Sequence, residues 1–216
     1  MKASLVYRWS RNFFRFGVLP LFRFRVEGIE NIPEKGGVIL ASNHQSFLDP
    51  VALGCGTPRV PVRFMARDTL FQTRFMGFYL RQTHVFPVRR GGADRSAWKL
   101  FEELVRQGEQ VTFFPEGTRS EDGRLQQGNP GSGMLIHRCP GATVIPVRIR
   151  GTHKVLPRSG GFKGFHRISV RFGKPVDLSD LWAQEGGREV YAQTTERIMA
   201  AIAALPLVGG RDDDAP

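Results

Sequence analysis

The sequence predicts an α/β fold in which a mostly parallel central sheet is flanked by helices, with an amphipathic helix at the N-terminus. Three observations predict it. Short apolar runs alternate along the chain with segments of helical periodicity. A length of 216 residues suffices for one domain with a sizeable core. The composition, with 41% hydrophobic and 24% charged residues, is that of a globular protein.

The apolar runs that are bounded by Gly, Pro or polar residues are strand candidates. They are residues 22–27, 37–42, 61–66, 84–88, 110–114, 143–149 and 167–172. The helix candidates are residues 50–56, 69–82, 95–107, 130–138 and 188–205. Asp68 and Asp94 stand where N-caps belong, because a carboxylate there accepts a hydrogen bond from a free backbone N–H. Strands and helices that alternate in this way favour a parallel sheet with helical crossovers.

The N-terminal segment, residues 3–19, has the spacing of an amphipathic helix that ends or kinks at Pro20. One face carries Leu5, Trp9, Phe13 and Phe16, and another carries Arg8, Arg11 and Arg15. An aromatic face opposite a basic one is typical of a helix in a membrane interface, where the arginines meet anionic headgroups. A helix packed on its own domain is the alternative.

The chain shows neither a spanning segment nor a signal peptide. No stretch approaches the roughly 18 to 20 consecutive apolar residues that a bilayer-spanning helix needs. Arginines occur throughout residues 2–25, which does not fit an exported leader. Cys55 and Cys139 lie far apart, so we expect neither a disulfide scaffold nor a cysteine zinc cluster. We expect instead that the protein resides in a reducing, cytosolic environment.

The charge balance predicts anionic partners. There are 31 Lys and Arg against 20 Asp and Glu, a formal net charge of +11, and the sequence pI is about 10.6. Of the basic residues, 25 are Arg, whose planar guanidinium suits phosphate better than an ammonium does. Nucleic acid and phospholipid surfaces both remain open at this point.

The first candidate site, NHQSFLDP at residues 43–50, follows the strand predicted at 37–42. His44 and Asp49 would stand about 140° apart on a regular helix, so a turn must bring them together. Pro50 favours such a break, because it disfavours helical dihedrals at Asp49 and suits the first helical position. The pair then predicts a histidine that a carboxylate orients for proton transfer. The alternative is a helix cap beside an incidental histidine.

The second candidate site is the turn that follows the strand predicted at 110–114. It contains Glu116, Gly117, Thr118, Arg119 and Ser120. Pro115 stops the ladder and Gly117 permits unusual dihedrals. Ligands of open α/β sheets bind at the carboxyl ends of strands, and hydroxyls with an arginine fork suit a phosphate. An ordinary turn with a Glu–Arg ion pair is the alternative.

Two further strand ends carry arginine. Arg89 and Arg90 precede two glycines after the strand predicted at 84–88, and Arg67 follows the strand predicted at 61–66. Paired arginines with exposed backbone amides are a plausible phosphate site, although such pairs are also common on solvated surfaces. The run VIPVR at 144–148 is assigned to packing in a buried strand. We expect the His/Asp pair, the arginines and the Glu/Arg turn to converge on one crevice.

Four blocks carry a family resemblance: NHQSFLDP, VFPVRRG, FFPEGTRS and VIPVRI. In their order and spacing the chain resembles the glycerolipid acyltransferases of the 1-acylglycerol-3-phosphate O-acyltransferase (lysophospholipid acyltransferase) family, over about residues 22–175. Two positions depart from the family pattern. Arg89 stands where many members have Asp, and Asn129 stands where many have Lys.

The resemblance implies roles for the site residues. The HxxxxD pair is catalytic in that family, which implies that His44 and Asp49 are the catalytic residues here. The arginine of the second block and the EGTR turn bind the acceptor phosphate in the family. These roles carry over to Arg90, Glu116, Gly117, Thr118 and Arg119, and Arg67 joins them because of its similar position.

The implied reaction moves a fatty acyl group from an acyl thioester to the free hydroxyl of a lysophospholipid. The best candidate acceptor is 1-acylglycerol-3-phosphate, which would give phosphatidic acid. Acyl-CoA or acyl-[acyl carrier protein] is the donor, and no cofactor and no metal are expected. The alternatives are another hydroxylated lipid acceptor, a non-catalytic membrane protein, or a basic nucleic-acid-binding protein. Basic residues spread along the chain argue against nucleic acid as a partner.

The same interpretation divides the chain into three parts. Residues 1–21 form an amphipathic membrane-interface helix, residues 22–208 form the acyltransferase domain, and residues 209–216 form a disordered acidic tail. We expect the protein at the cytoplasmic face of the cell membrane, peripheral or monotopic. Its partners are then an anionic phospholipid surface, the lysophospholipid acceptor and the thioester donor.

Overall fold

The computed structural model describes residues 3–89 and 94–206 of the chain. Its strands are β1 (Arg25–Glu27), β2 (Val38–Ser42), β3 (Val62–Arg67), β4 (Val85–Val88), β5 (Gln110–Phe113), β6 (Thr143–Arg150) and β7 (Ser169–Phe172). Within this part of the chain they form one seven-stranded sheet, in the order β1-β7-β6-β2-β5-β3-β4. The strands from β6 to β4 are parallel, and β7 pairs antiparallel with β6. The mostly parallel sheet that the sequence predicts is confirmed.

The first strand is shorter than the sequence predicts. Leu19–Phe22 forms a 3₁₀ turn, and Arg23 has a left-handed backbone with φ of 49°. A left-handed residue cannot continue a strand. The extended segment therefore begins only at Arg25, where β1 pairs parallel with β7.

The helices flank the sheet, and most agree with the predicted ranges. They are α1 (Leu5–Asn12), α2 (Asp49–Gly56), α3 (Arg74–Gln82), α4 (Arg95–Arg106), α5 (Pro130–His137), α6 (Thr152–Val155), α7 (Ser179–Trp182) and α8 (Arg188–Ala203). Asp94 caps α4 as predicted, since its carboxylate accepts the N–H of Ala97 at 3.1 Å.

The single helix predicted at 69–82 is wrong in its first part. Asp68–Phe71 is a 3₁₀ turn, and the Asp68 carboxylate accepts the N–H of Thr69. Thr73 is extended, and its hydroxyl accepts the N–H of Met76 at 3.3 Å. A threonine that satisfies a free N–H in this way is an N-cap, so α3 begins after Thr73.

Two apolar layers cover the faces of the sheet. Alternate residues of β2 divide between them, with Ile39 in the layer under α4, α5 and α8 and Leu40 in the layer under α2. All five residues of β2 are buried, because strands pair with both of its edges and an apolar layer covers each face. The chain that leaves β2 therefore starts from a fully buried strand in the interior of the sheet.

The N-terminal segment is helical, as predicted, and its apolar face is exposed. After α1 it continues as a π-helical stretch, Phe13–Val18, and then enters the 3₁₀ turn that contains Pro20. The exposed fractions lie between 64% and 77% for Leu5, Trp9, Phe13 and Phe16. The buried side chain of α1 is that of Tyr7, whose hydroxyl accepts the N–H of Val62 at 3.2 Å. Among the described residues, no helix is long and apolar enough to cross a bilayer.

Two of the three arginines on the predicted basic face are not oriented as the sequence suggests. Arg11 donates to the carbonyl oxygens of Gly54 and Thr57 at 3.1 Å and 2.9 Å, and Arg15 donates to that of Cys55 at 3.1 Å. The expectation that Arg11 and Arg15 meet lipid headgroups is therefore wrong. They bind free carbonyls at the C-terminus of α2, where the helix dipole favours a cation.

Candidate active site

The carboxyl ends of five parallel strands meet at one edge of the sheet and supply the site. His44 follows β2, Arg67 ends β3, Arg89 follows β4, Glu116 follows β5 and Thr152 follows β6. This edge of an open α/β sheet is where ligands bind, because the connections to the helices leave a crevice there. The convergence that the sequence predicts is thus the observed arrangement of these strand ends.

His44 and Asp49 are in direct contact. The Nδ1 atom of His44 lies 2.7 Å from the Oδ2 atom of Asp49. The Asp49 side chain is fully buried, and the His44 side chain is 19% exposed. A carboxylate at Nδ1 favours the tautomer with the proton on that nitrogen, so Nε2 is the basic nitrogen. His44 lines an open cavity with its imidazole.

The loop between β2 and α2 wraps around the Asp49 carboxylate. Oδ2 also accepts the backbone N–H groups of Gln45 and Ser46, at 2.6 Å and 2.8 Å. Oδ1 accepts the hydroxyl of Thr152 at 2.6 Å. Asp49 and Pro50 begin α2, so the turn that the Pro50 argument requires is present. Four donors thus hold the carboxylate in place and compensate for the loss of water.

The turn after β5 holds the backbone of His44 from the other side. The N–H of His44 donates to the Oε1 atom of Glu116 at 2.8 Å, and the carbonyl of His44 accepts the N–H of Ser120 at 2.8 Å. The His44 ring stacks on Phe114, with centroids 4.0 Å apart and planes 16° apart. These contacts leave His44 little freedom to turn away from the cavity.

Glu116 is directed at the loop rather than at the cavity. Its Oε2 atom accepts from the side chain of Gln126 at 3.2 Å, and the residue is buried. Burial raises the pKa of Glu116 to about 7, although the hydrogen bonds from His44 and Gln126 lower it. The family resemblance implies phosphate binding for this residue, whereas its observed contacts support a positioning role.

A cavity of about 680 Å³ opens beside the His44 ring. Its lining brings together five of the predicted site residues, namely His44, Arg67, Gly117, Thr118 and Arg119. Arg89 and Arg158 also line it. The Arg119 guanidinium lies over the Phe47 ring, 3.7 Å from its centroid, which is a cation–π contact. Arg90 lies outside the described residues, as does the predicted acidic tail.

Sequence reasoning missed two residues of this site. Thr152 is separated from Asp49 by 103 positions. Arg158 donates from Nη1 to the carbonyl of Arg119 at 2.9 Å and lies 3.4 Å from the Glu121 carboxylate. Neither residue belongs to a local motif. The only sequence signal for a place in the site is that Thr152 closely follows strand β6 and that Arg158 lies on the loop after α6.

Ser120, in contrast, is not available to a ligand phosphate. Its hydroxyl donates to the Oδ1 atom of Asp122 at 2.9 Å and accepts the N–H of Gly123 at 3.0 Å. The residue is buried. The expectation that this hydroxyl contacts phosphate is wrong, because a tight turn uses it internally.

A second cavity of about 250 Å³ adjoins the first and is lined by α1, α2, β3 and α3. The two cavities share the side chains of Phe47, Pro50, Met65, Ala66 and Leu70. Most of its remaining wall is apolar as well, and Gly54 of α2 lines it beside Tyr7. An apolar space that adjoins the cavity lined by the His44 imidazole suits an aliphatic chain.

This arrangement supports general acid–base chemistry. Burial raises the pKa of the Cys55 thiol to about 11 and that of the Cys139 thiol to about 12, so both stay protonated and unreactive at neutral pH. His44 has an oriented ring at the cavity wall, and arginines line the same space. The site can therefore accept a proton from a substrate that also carries an anionic group.

Comparison with known proteins identifies the family of the chain. A family model described as Acyltransferase matches residues 23–150. The chain is 31% identical to the 1-acyl-sn-glycerol-3-phosphate acyltransferase of Bacillus subtilis, covering 84% of this chain and 87% of the relative. It is 32% identical to the chloroplast enzyme LPAT1 of Arabidopsis thaliana, covering 74% of this chain and 45% of that longer relative.

The fold is similar to a solved structure, that of the 1-acyl-sn-glycerophosphate acyltransferase from Thermotoga maritima. The TM-score is 0.67 at 26% sequence identity, and the match covers 93% of this chain and 81% of the other. The sequence family and the fold thus confirm the resemblance carried by the four sequence blocks. The chain belongs to the acyltransferase family.

Proposed function

We propose that this protein transfers a fatty acyl group from an acyl thioester to the free hydroxyl of 1-acylglycerol-3-phosphate, which gives phosphatidic acid. The observation that carries the proposal is the 2.7 Å contact between His44 and the buried Asp49 at the wall of an arginine-lined cavity. The names of the relatives from Bacillus subtilis and Thermotoga maritima support the same substrate.

His44 acts as the general base. Its Nε2 atom takes the proton of the acceptor hydroxyl while the oxygen attacks the thioester carbonyl. The new C–O bond forms, the tetrahedral intermediate collapses, and the C–S bond breaks. The proton then passes from the imidazolium to the departing thiolate sulfur. Asp49 stabilises the imidazolium, and general base assistance of this kind contributes about 10² to 10⁴ in rate.

The arginines place the acceptor. Arg67, Arg119 and Arg158 line the cavity, and a guanidinium fork binds a phosphate through two parallel hydrogen bonds. The cation–π contact with Phe47 restricts the position of the Arg119 guanidinium in the cavity. Arg90 stays a predicted phosphate ligand. Binding the phosphate fixes the distance from the acceptor hydroxyl to His44, which lowers the entropic part of the barrier.

The apolar second cavity receives the acyl chain of the donor. Each buried methylene contributes about 0.8 kcal/mol, so a chain that enters this space binds tightly without any polar contact. Acyl-CoA and acyl-[acyl carrier protein] both remain candidate donors, since both bring phosphate groups to a protein with a net charge of +11.

The protein works at the cytoplasmic membrane surface, where its substrates reside. The exposed aromatic face of the N-terminal segment supports this location. Exposing the large apolar side chains of Trp9 and Phe13 to water is unfavourable, and they suit the interface between headgroups and acyl chains. Arg8, on the same helix, is exposed and available to anionic lipid.

The test is acyl transfer in detergent micelles with a panel of lysophospholipids and both donors, read out by product mass. We expect His44→Ala to lower turnover by at least a hundredfold. The matched control is His137→Ala at the end of α5, which should leave turnover unchanged. Equal turnover of the His44 variant and the wild type would contradict the mechanism. Salt-dependent binding of oligonucleotides without acyl transfer would favour a nucleic-acid-binding protein instead.

A further inference from the structure

An exposed aromatic pair lies on the loop that connects α6 to β7. Phe162 and Phe165 are 59% and 65% exposed. Their rings pack edge to face, with centroids 5.2 Å apart. A single exposed apolar residue needs no explanation, but a contiguous patch of large apolar side chains marks an interaction surface.

This pair continues the apolar surface of the N-terminal segment. Both rings contact the buried ring of Phe22, at centroid distances of 6.4 Å for Phe162 and 5.3 Å for Phe165. Phe22 ends the 3₁₀ turn that follows the π-helical stretch, and its neighbour Leu21 is 60% exposed. The loop and the N-terminal segment therefore present apolar side chains side by side.

The charges around the pair are positive. Lys163 lies between the two phenylalanines along the chain, Arg167 follows them, and both basic residues are exposed. The sequence contains no Asp or Glu between positions 123 and 176, which covers the whole loop. Aromatic side chains among exposed cations match the interface of an anionic bilayer, where rings enter the acyl boundary and cations meet headgroups.

The backbone allows the rings to project. Gly160, Gly161 and Gly164 have positive φ values of 86°, 80° and 116°. A Cβ atom at Gly160 or Gly161 would meet nothing within 4 Å, so these turns run through open space rather than against the domain. A loop of this kind keeps Phe162 and Phe165 outside the core, although large apolar side chains are normally buried there.

We propose that the loop of residues 160–166 is a second membrane-contact element, which inserts Phe162 and Phe165 into an anionic bilayer beside the N-terminal segment. The inference rests on the proposed function, since it assumes a lipid substrate at a membrane surface. Arg158, just before this loop, lines the active-site cavity. Contact at two elements therefore orients the cavity towards the bilayer from which the acceptor arrives.

The test is sedimentation with vesicles of phosphatidylglycerol, using the double variant Phe162→Ser/Phe165→Ser. We expect its partition into the vesicles to fall by about ten- to a hundredfold, because two large apolar side chains no longer enter the interface. The double variant Phe162→Trp/Phe165→Trp is the matched control and should bind at least as well as the wild type, since Trp favours the interface.

Two further measurements separate the outcomes. Acyl transfer in detergent micelles should stay within about twofold of the wild type for both double variants, because neither position lines the cavity. If the wild type also shows no acyl transfer, the proposed function is wrong, and the vesicle result is judged separately. Vesicle binding of the serine variant equal to that of the wild type overturns the inference. A change in the oligomeric state of the serine variant, measured by sedimentation, also overturns the inference, because it would assign the patch to contact with a second copy of the chain.

Discussion

The hydroxyl of Thr152 offers a test of how Asp49 is positioned. It donates to the Oδ1 atom of Asp49 at 2.6 Å, and both residues are completely buried. Thr152→Val replaces the hydroxyl by a methyl group and keeps the branched shape of the side chain. A hydrogen bond to a charged group contributes about 1.5 to 3 kcal/mol. We therefore expect the free energy of unfolding to fall by about 2 kcal/mol.

The same hydrogen bond should influence turnover. Loss of this hydrogen bond raises the activation free energy by up to the same amount, because Asp49 is then less well positioned to stabilise the imidazolium. We therefore expect kcat to fall by about ten- to a hundredfold, since 1.36 kcal/mol corresponds to a factor of ten. Thr152 does not belong to the lining of either cavity, so KM for the acceptor and for the donor should stay unchanged. Steady-state kinetics with each substrate varied in turn separates the two parameters.

Thr152→Ser is the complementary control, because it loses the methyl group and keeps the hydroxyl donor. The serine variant should retain kcat within about threefold, while denaturant unfolding reports the stability of both variants. Equal kcat for Thr152→Val and the wild type would contradict a role of this hydroxyl in positioning Asp49 for catalysis. A loss of stability with kcat retained would show that the hydroxyl supports only the fold.

Three further changes probe the site. Burial raises the pKa of Glu116 from 4.5 to about 7. The free energy of unfolding should therefore fall by about 3 kcal/mol as the pH rises from about 4.5 to 7. Denaturant unfolding of Glu116→Gln should lack this part of the pH dependence. Arg119→Ala should raise KM for the phosphorylated acceptor about tenfold or more, measured in micelles, with KM for the donor unchanged. Gly54→Ala places a methyl group in the apolar cavity, so competition between acyl donors should favour shorter chains, about fourfold for each excluded methylene.

Each of these predictions has its own contradicting result. A parallel pH dependence of Glu116→Gln and the wild type would place the titration elsewhere. Arg119→Lys keeps the charge but not the fork, so full recovery by lysine would show that geometry is unimportant. The Cβ of Gly54→Ala meets Phe64 at 3.7 Å and Tyr7 at 3.9 Å, which is ordinary contact, so the variant should fold. An unchanged chain-length preference would remove the acyl chain from this cavity.

Much of the fold and several residues of the site follow from local patterns along the chain. Apolar runs separated by turn residues located the strands, because a central parallel strand such as β2 must be apolar on both faces. Since parallel strands end at one edge, polar residues after those runs had to converge. His44, Arg67 and Arg119 were identified in this way, and the position of Pro50 indicated the turn that joins His44 to Asp49.

The direction in which a polar or charged side chain points depends on its neighbours in three dimensions. The helical pattern of α1 is the same whether Arg11 faces water or the α2 carbonyls, and the free carbonyls of a distant helix settle the choice. Glu116 turns towards the N–H of His44, and Thr152 reaches Asp49, across 72 and 103 positions. Such contacts form between groups that chain folding buries together. Each buried donor or acceptor must then find its partner in space, and local sequence does not specify where that partner lies.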